Sequence, residues 1–554
     1  MRPGLRAFFI LHLSDMNALL KKIITPLLLA VLFAAAAHGQ QAKPKLKGWH
    51  LLDYKQDGYM GTGVKEAYEL LKGRKSTTVI VAVIDSGVDT LQEDLKDVLW
   101  VNPKEIPGNG KDDDGNGYVD DVHGWNFCGS SSGENLATNT HEIERVYHRW
   151  ETEFEGKKEK DIPAERKFLF GQWKRAETLI NKGYEEYQKN ITGVESALKA
   201  LRTSNRLLTD YLNKKEFIKS DITLINASDS LEWAARVWTG IFNRTGDASV
   251  KNTAVMEDIE GYHNSLLNSR KLKEDDPIDY RGQLVKDNYE DIKDSIYGNN
   301  NLETGSGNHG THVAGIIGAI RNNNIGVDGI MDNVRLMIIR AVPGGDEHDK
   351  DIALAIRYAV NNGARVINMS FGKPVSPYKY LVDDAIKYAA SKNVLLVHAA
   401  GNDGEDNDEN PDYPSPDFID GTRATNMLTV GASGDYSTEG LVASFSNYSD
   451  HVVDIFSPGV YINSTIPHNA YDAYDGTSMA SPVAAGIAGL LRSYFPELTP
   501  AQVIDLLIRS GTEIKENVTL PHSDKKVSMK RLSRSGKIIN AYEAVKLALE
   551  LYSK

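Results

Sequence analysis

Short runs of apolar, mostly β-branched residues recur along the chain and constrain its fold more than any other feature. They lie at 79–84, 335–340, 365–369 and 394–397. Runs of this kind are typical of strands that are covered on both faces of a sheet. Helical patterns at 351–361 and 380–391 separate the later runs. Alternating strands and helices imply right-handed crossovers, so we predict an α/β fold with a mainly parallel sheet and helices on both faces.

The middle of the chain, residues 141–295, is rich in charged residues and poor in glycine and proline, which predicts helices. Apolar residues spaced by three or four line one face of a predicted helix: Trp173, Ala176, Ile180, Tyr184, Tyr187, Ile191, Val194, Leu198 and Leu201. A second helix is predicted after Asp229, with a buried side formed by Trp233, Val237, Trp238 and Ile241. Two interpretations stay open, a helical hairpin that packs on itself and its host, and a segment that docks a partner or gates a substrate.

The flanking blocks, 40–140 and 296–554, are predicted to form one domain that the helical insertion 141–295 interrupts.

Residues 1–39 are predicted to be a signal peptide that is removed from the mature protein. Lys21 and Lys22 precede an apolar run over 23–37, which is too short to span a bilayer and typical of a secretory signal peptide. We therefore expect cleavage near Gly39, export to the periplasm or the exterior, and no membrane association afterwards.

Composition excludes several classes of protein and site. The chain has 63 basic and 76 acidic residues, a formal charge of −13, which argues against nucleic acid as a partner. Its single cysteine, Cys128, excludes an internal disulfide, a cysteine-based zinc site and an iron–sulfur cluster.

Three motifs at the ends of predicted elements carry residues suited to nucleophilic catalysis. Asp85 ends the first strand, His309 lies in the segment Asn-His-Gly-Thr-His-Val-Ala-Gly, and Ser478 lies in Gly-Thr-Ser-Met-Ala-Ser-Pro before an apolar helix. Each has a simpler interpretation alone: Asp85 as a turn residue, His309 with His312 as metal ligands, and Ser478 as a helix cap. The Glu of the H-E-x-x-H zinc motif is missing, however.

Together these motifs, in the order Asp…His…Ser, resemble those of the subtilisin-like serine peptidases, the subtilases. The resemblance runs over about 79–121 and 305–510. It implies a subtilisin-like three-layer fold and an exported endopeptidase that works through an acyl-enzyme intermediate. It further implies Asp85, His309 and Ser478 as the catalytic triad, with the Ser478 backbone N–H and the side chain of Asn402 as oxyanion donors. No cofactor is required for that chemistry.

The same resemblance assigns a substrate site for proteins or peptides. It implies that the backbone of Ser370, Phe371 and Gly372 pairs with an extended substrate, and that Ala400 and Gly401 line the first specificity pocket. Small residues there leave room for a large substrate side chain.

An acidic loop at 112–121 predicts a structural calcium site. Asp112, Asp114, Asn116 and Asp120 occupy positions one, three, five and nine of a calcium-loop pattern. His123 stands where an EF-hand has its bidentate glutamate, so a standard EF-hand is not expected. A solvated acidic turn is the alternative interpretation.

A long separation distinguishes this chain from a plain subtilase. Asp85 and His309 are 224 residues apart (309 − 85), and the helical insertion accounts for the difference. Its position between two catalytic residues suggests that it caps the cleft. The alternative function is a catalytically silent binding protein that uses this insertion on a subtilase scaffold.

Overall fold

The computed structural model describes residues 46–223, 225, 228–245, 249–303, 308–438 and 440–552. The predicted signal peptide, 1–39, lies outside these ranges. Among the helices that are described, none combines the length and the apolar character needed to cross a bilayer.

A mainly parallel sheet of nine strands forms the larger of two compact units. Its strand order is β10-β13-β7-β6-β5-β4-β1-β3-β2, and among the described strands of this sheet only β10 and β13 pair antiparallel. The strands of the structure are β1 (Val79–Asp85), β2 (Gly124–Asn126), β3 (Val334–Arg340), β4 (Val366–Met369), β5 (Leu395–Ala399), β6 (Met427–Ser433), β7 (Ile455–Pro458), β8 (Ile462–Ile466), β9 (Ala470–Tyr474), β10 (Thr512–Glu513), β11 (Val518–Thr519), β12 (Lys526–Val527) and β13 (Lys537–Ile538). Strands β8 with β9 and β11 with β12 form two-stranded hairpins.

The four apolar runs form β1, β3, β4 and β5, which confirms the predicted sheet. These strands lie side by side and are almost entirely buried. Because every strand of this group runs in the same direction, their carboxyl ends meet at one edge of the sheet. Ile84 of β1 pairs with Met369 of β4, so the residues that follow these two lie at the same level.

Helices cover both faces of the sheet. The helices of the structure are α1 (Tyr54–Asp57), α2 (Val64–Leu71), α3 (Glu142–Phe154), α4 (Lys167–Leu212), α5 (Lys219–Ile222), α6 (Asp229–Thr245), α7 (Asn252–Glu274), α8 (Tyr280–Leu284), α9 (Asn308–Gly318), α10 (Asp349–Asn361), α11 (Lys379–Ser391), α12 (Thr477–Tyr494), α13 (Pro500–Ser510) and α14 (Ala541–Tyr552). Alternate side chains of β1 point into different cores. Val81 and Val83 join one with α9 and α12, whereas Ala82 and Ile84 join the other with α10 and α11. The predicted three-layer α/β architecture is therefore confirmed.

The smaller unit comprises, among the described residues, those between 177 and 277. The predicted stripe lies on one long helix, α4, and Val194, Leu198 and Leu201 of that stripe are buried. Trp238 and Ile241 of α6 are buried as predicted, whereas Trp233 and Val237 are only half-buried. The core of this unit is aromatic, because Trp238 packs against Phe217 and Phe242.

The smaller unit covers fewer residues than the predicted insertion 141–295. Both flanks of that insertion, 141–176 and 278–295, belong to the unit that contains the sheet. Each flank contributes a buried ion pair there: Glu142 lies 2.7 Å from Lys373, and Arg281 lies 2.6 Å from Asp351. The charged helical sequences of the two flanks do not indicate which of the two units each flank joins.

Candidate active site

Asp85 and His309 are joined by a hydrogen bond at the carboxyl end of β1. The Nδ1–H of His309 donates to Oδ1 of Asp85 over 2.7 Å, and the backbone N–H of Ser86 donates to the same oxygen. The carboxylate is only 3% exposed, and its other oxygen, Oδ2, has no hydrogen-bond partner among the described residues. A carboxylate can only accept here, so it holds the proton on Nδ1 and leaves Nε2 of the imidazole as a base.

The electrostatic environment of His309 favours the protonated imidazole. Burial alone lowers its pKa, but the charge of Asp85 and the hydrogen bond outweigh burial and hold the pKa of His309 above its ordinary value. Close packing of α9 against β1 makes this contact possible. A Cβ at Gly310 would lie 2.1 Å from the carbonyl oxygen of Gly87, so only glycine fits at that position.

Ser478 is the second residue of α12 and is half-buried. Its hydroxyl donates to the carbonyl oxygen of Ser370 over 3.2 Å, and the hydroxyl of Ser370 donates back to the carbonyl of Ser478 over 2.9 Å. Beneath them, the side-chain amide of Asn368 donates to the Ser370 hydroxyl and accepts a bond from Ser481. This buried chain of bonds fixes the start of α12 on the end of β4.

The register of the sheet brings the serine to the same edge as the aspartate and the histidine. Ile84 of β1 pairs with Met369 of β4. Asp85 follows Ile84, and Ser370 follows Met369. Adjacent strands lie about 4.8 Å apart. Because Ser478 is bonded to Ser370, its hydroxyl lies one strand from the carboxylate that holds His309.

The side chain of Asn402 is anchored to the first residue of α12. Its Oδ1 accepts from the backbone N–H of Thr477 over 2.8 Å and from the hydroxyl of Thr477 over 2.9 Å. With Oδ1 held in this way, the NH₂ group is the free end of an exposed side chain. Thr477 is therefore a positioning residue that the sequence analysis did not single out, although it lies inside the quoted serine motif.

The residues predicted to bind substrate follow β4 and β5, which are neighbouring strands. Gly372 and Gly401 approach the same side chain, the carboxylate of Asp412. Phe371 and Ala400 are buried, Ala400 completely. The carbonyl of Phe371 accepts a bond from His398 over 2.8 Å.

His312 lies in a packed environment one helical turn from His309. Its Nε2–H donates to the carbonyl of Asp472 over 3.1 Å, and its ring stacks on Tyr474 with 4.4 Å between centroids. Burial, first of all, lowers the pKa of His312 to about 4, so the ring is neutral at pH 7. This arrangement does not place His312 as a metal ligand with His309.

The acidic loop brings two of its four predicted ligands together with a third residue. One carboxylate oxygen from each of Asp112, Asp114 and Glu105 lies within 4.8 Å of the others. Oε1 of Glu105 accepts from two backbone N–H groups of the loop, whereas its buried Oε2 has no hydrogen-bond partner in the part of the chain that the structure describes. Oxygen ligands at this spacing suit a hard divalent cation.

The other two predicted ligands serve the loop itself. The carboxylate of Asp120 accepts from the backbone N–H groups of residues 108, 109 and 110. The side-chain oxygen of Asn116 accepts from the N–H of Tyr118, and its amide donates to Asp121. The predicted pattern took its ligands in sequence order, so it missed Glu105, which lies seven residues before Asp112.

Comparisons with known proteins bear on the family to which the chain belongs. The model of the subtilase family matches residues 76–529. A thermophilic serine proteinase from Bacillus sp. (strain AK1) is 42% identical over 187 residues, which cover 34% of this chain and 43% of that protein. Subtilisin Savinase from Lederbergia lenta is 36% identical over 220 residues, which cover 40% of this chain and 75% of that protein.

A solved structure, that of the prenylagaramide maturation protease PagA, aligns at 28% identity with a TM-score of 0.36. The alignment covers 43% of this chain and 81% of that one. The chain spans about half the length of the first curated relatives that it matches. The family match, in contrast, extends over most of the sequence on both sides of the smaller unit, and the chain therefore belongs to the subtilase family.

Proposed function

We propose that this protein is a serine endopeptidase that cleaves proteins or peptides through an Asp85–His309–Ser478 triad. The observation that carries the proposal is the 2.7 Å bond from His309 Nδ1 to the buried Asp85, together with the position of the half-buried Ser478 hydroxyl at the same edge of the sheet. The names of the relatives, a serine proteinase and a subtilisin, support the same reaction.

In the proposed first step, Ser478 exchanges its bond to Ser370 for one to Nε2 of His309 and attacks the peptide carbonyl. His309 accepts the hydroxyl proton, and the negative charge of Asp85 stabilises the imidazolium that forms. His309 then gives this proton to the leaving amine, and an acyl group remains on Ser478. Water attacks the acyl-enzyme with His309 again as the base, which restores the serine.

The oxyanion of each tetrahedral intermediate needs donors that are already in place. The backbone N–H of Ser478, in the first turn of α12, and the NH₂ group of Asn402 are the proposed donors. Because Thr477 holds Oδ1 of Asn402 with two hydrogen bonds, the amide does not have to reorganise during the reaction.

Labelling with a fluorophosphonate tests this proposal, because such probes react with an activated serine. We expect labelling of the wild-type protein and its loss in Ser478→Ala, with an unchanged melting temperature as the control for folding. Ser391→Ala, at the exposed end of α11, should label like the wild type. Absence of wild-type labelling, with intact folding, would favour the silent binding protein instead.

We also propose that Glu105, Asp112 and Asp114 hold a structural calcium ion. The residues fit this group, because Glu105 is buried and its Oε2 finds no hydrogen-bond partner within the described ranges, while the other two carboxylates approach it. The bound ion would cross-link two parts of the loop in a chain whose single cysteine allows no internal disulfide.

We propose, finally, that the protein is exported with removal of residues 1–39. Support comes from Lys21, Lys22 and the apolar run 23–37. Amino-terminal sequencing of the protein purified from the periplasm or the medium should begin at Gln40. Recovery of the intact chain from the cytoplasm alone would contradict export.

A further inference from the structure

An acidic side chain lies between the two glycines predicted to border the substrate. A Cβ added at Gly372 would lie 2.2 Å from Oδ2 of Asp412, and one added at Gly401 would lie 3.1 Å from the same oxygen. The carboxylate therefore fills the space that side chains at these two positions would take. Asp412 itself is half-buried.

Backbone pairing explains why Asp412 occupies this position. The N–H of Lys373 donates to the carbonyl of Tyr413 over 3.1 Å, and the N–H of Tyr413 donates to the carbonyl of Lys373 over 2.9 Å. This pair aligns the segment after Phe371 with the segment that contains Asp412. The position of the carboxylate is thus set by main-chain bonds.

The two segments that contact the Asp412 carboxylate are close in sequence to groups that hold or stabilise the reacting atoms. Gly372 is two residues after Ser370, whose carbonyl holds the hydroxyl of Ser478. Gly401 immediately precedes Asn402, which is anchored to the start of α12. Asp412 therefore contacts both segments that lead directly to the proposed nucleophile and oxyanion donor.

No counter-ion neutralises Asp412 in the described part of the chain. Burial, first of all, and then the negative charges of Glu347, Asp403 and Asp346, raise the pKa of Asp412 well above its usual range. Arg175 acts in the opposite direction but does not form an ion pair with it, and donates instead to the carbonyl of Pro411 over 3.1 Å. The surroundings of Asp412 are thus predominantly acidic.

We propose that Asp412 selects substrates with a cationic side chain, lysine or arginine, at the residue before the cleaved bond. This inference rests on the proposed endopeptidase function. Because Asp412 borders both glycines, a long substrate side chain that reaches this position would meet the carboxylate. A cation there would gain a charge-assisted hydrogen bond, whereas an apolar side chain would leave a carboxyl group buried without a partner.

Matched peptides that differ only in that residue test the proposal. Lysine and norleucine have similar shapes, so the ratio of their kcat/KM values isolates the charge. We expect the wild-type enzyme to prefer lysine, and Asp412→Asn to lower the lysine-to-norleucine ratio by about 10- to 100-fold. Asp420→Asn, which removes an exposed carboxylate paired with Lys387, should leave the ratio unchanged. A wild-type preference for norleucine, or an unchanged ratio in Asp412→Asn, overturns the proposal.

A binding measurement separates this inference from the proposed function. The fluorescence of p-aminobenzamidine reports binding of a cation without any catalysis, so it is measured on Ser478→Ala and on the same variant carrying Asp412→Asn. Binding that weakens at least 10-fold with Asp412→Asn supports the cationic pocket even if no peptide is cleaved. Binding that is absent, or equal in both proteins, overturns it even if the triad is active.

Discussion

The hydroxyl of Thr477 offers a sharp test of how the proposed oxyanion donor is held. In Thr477→Val the bond of 2.9 Å to Oδ1 of Asn402 is lost, and so is the bond of 3.2 Å that the hydroxyl accepts from the N–H of Gly401, while the bond from the backbone N–H of residue 477 remains. The Asn402 amide would then keep one of its two anchors. A single hydrogen bond contributes about 0.5–1.5 kcal/mol, so we expect kcat to fall by about 2- to 12-fold. Asn402→Ala removes the donor itself and should lower kcat by about 10²- to 10³-fold.

The assay is steady-state hydrolysis of one peptide substrate by the two single variants and the double variant. If Thr477 acts through Asn402, the double variant should resemble Asn402→Ala, because no amide remains to be held. KM should change little, since the donor acts on charge that develops only in the transition state. Thr477→Ser keeps the hydroxyl and should restore kcat. Effects that multiply in the double variant, or a Thr477→Ser as slow as Thr477→Val, would refute the reasoning.

Three further predictions concern pH, calcium and a buried ion pair. Because the pKa of His309 is raised, its neutral, basic form predominates only at a pH above the ordinary histidine value of 6.5. We therefore expect kcat/KM to rise with pH through a midpoint above 6.5. A midpoint below 6.5 would contradict the geometry. Chelation should lower the melting temperature and calcium should restore it, since calcium at 100 times Kd adds about 2.7 kcal/mol to the free energy of unfolding. Glu105→Gln should abolish this response, and a response that persists would exclude the site. Lys373→Met leaves Glu142 with less positive charge in a buried site and should destabilise the protein by about 3–5 kcal/mol in urea unfolding, against near-neutral effects at exposed lysines. Burial raises the pKa of Glu142, but Arg145 and Lys373 together lower it below 4.5. The stabilisation from Glu142 is therefore present above pH 4.5 and is lost as pH falls through the lowered pKa, and stability that is flat across this range would contradict the pairing.

Much of the sheet could be predicted because strands that are buried in a parallel sheet have continuous apolar sequences. The runs at 79–84 and 394–397 correspond to Val79–Asp85 and Leu395–Ala399. Helix α12 begins earlier than its apolar part, at Thr477, because small and polar residues also fit a first turn. That extension places Ser478 within the first turn of the helix, where the motif interpretation required it.

Contacts across the fold could not be predicted, because they depend on which turns meet at the sheet edge. The sequence gives no local sign that Asp412 contacts Gly372, which lies 40 residues earlier (412 − 372). Glu105 was missed for a similar reason, since the loop folds back on the residues before it. The charged helical sequence around Glu142 likewise does not indicate that Glu142 pairs with Lys373 in the unit that contains the sheet.

The acyl-enzyme is the intermediate on which the whole account depends, and trapping it is the most direct test. An activated ester substrate, quenched in acid within milliseconds and digested, can be searched by mass spectrometry for a peptide whose mass has increased by one acyl group. We predict that this group resides on Ser478 in the wild type, accumulates further in Asn402→Ala if deacylation is slowed more than acylation, and is absent from Ser478→Ala. An acyl group on another residue, or peptide hydrolysis that persists in Ser478→Ala, would contradict the mechanism.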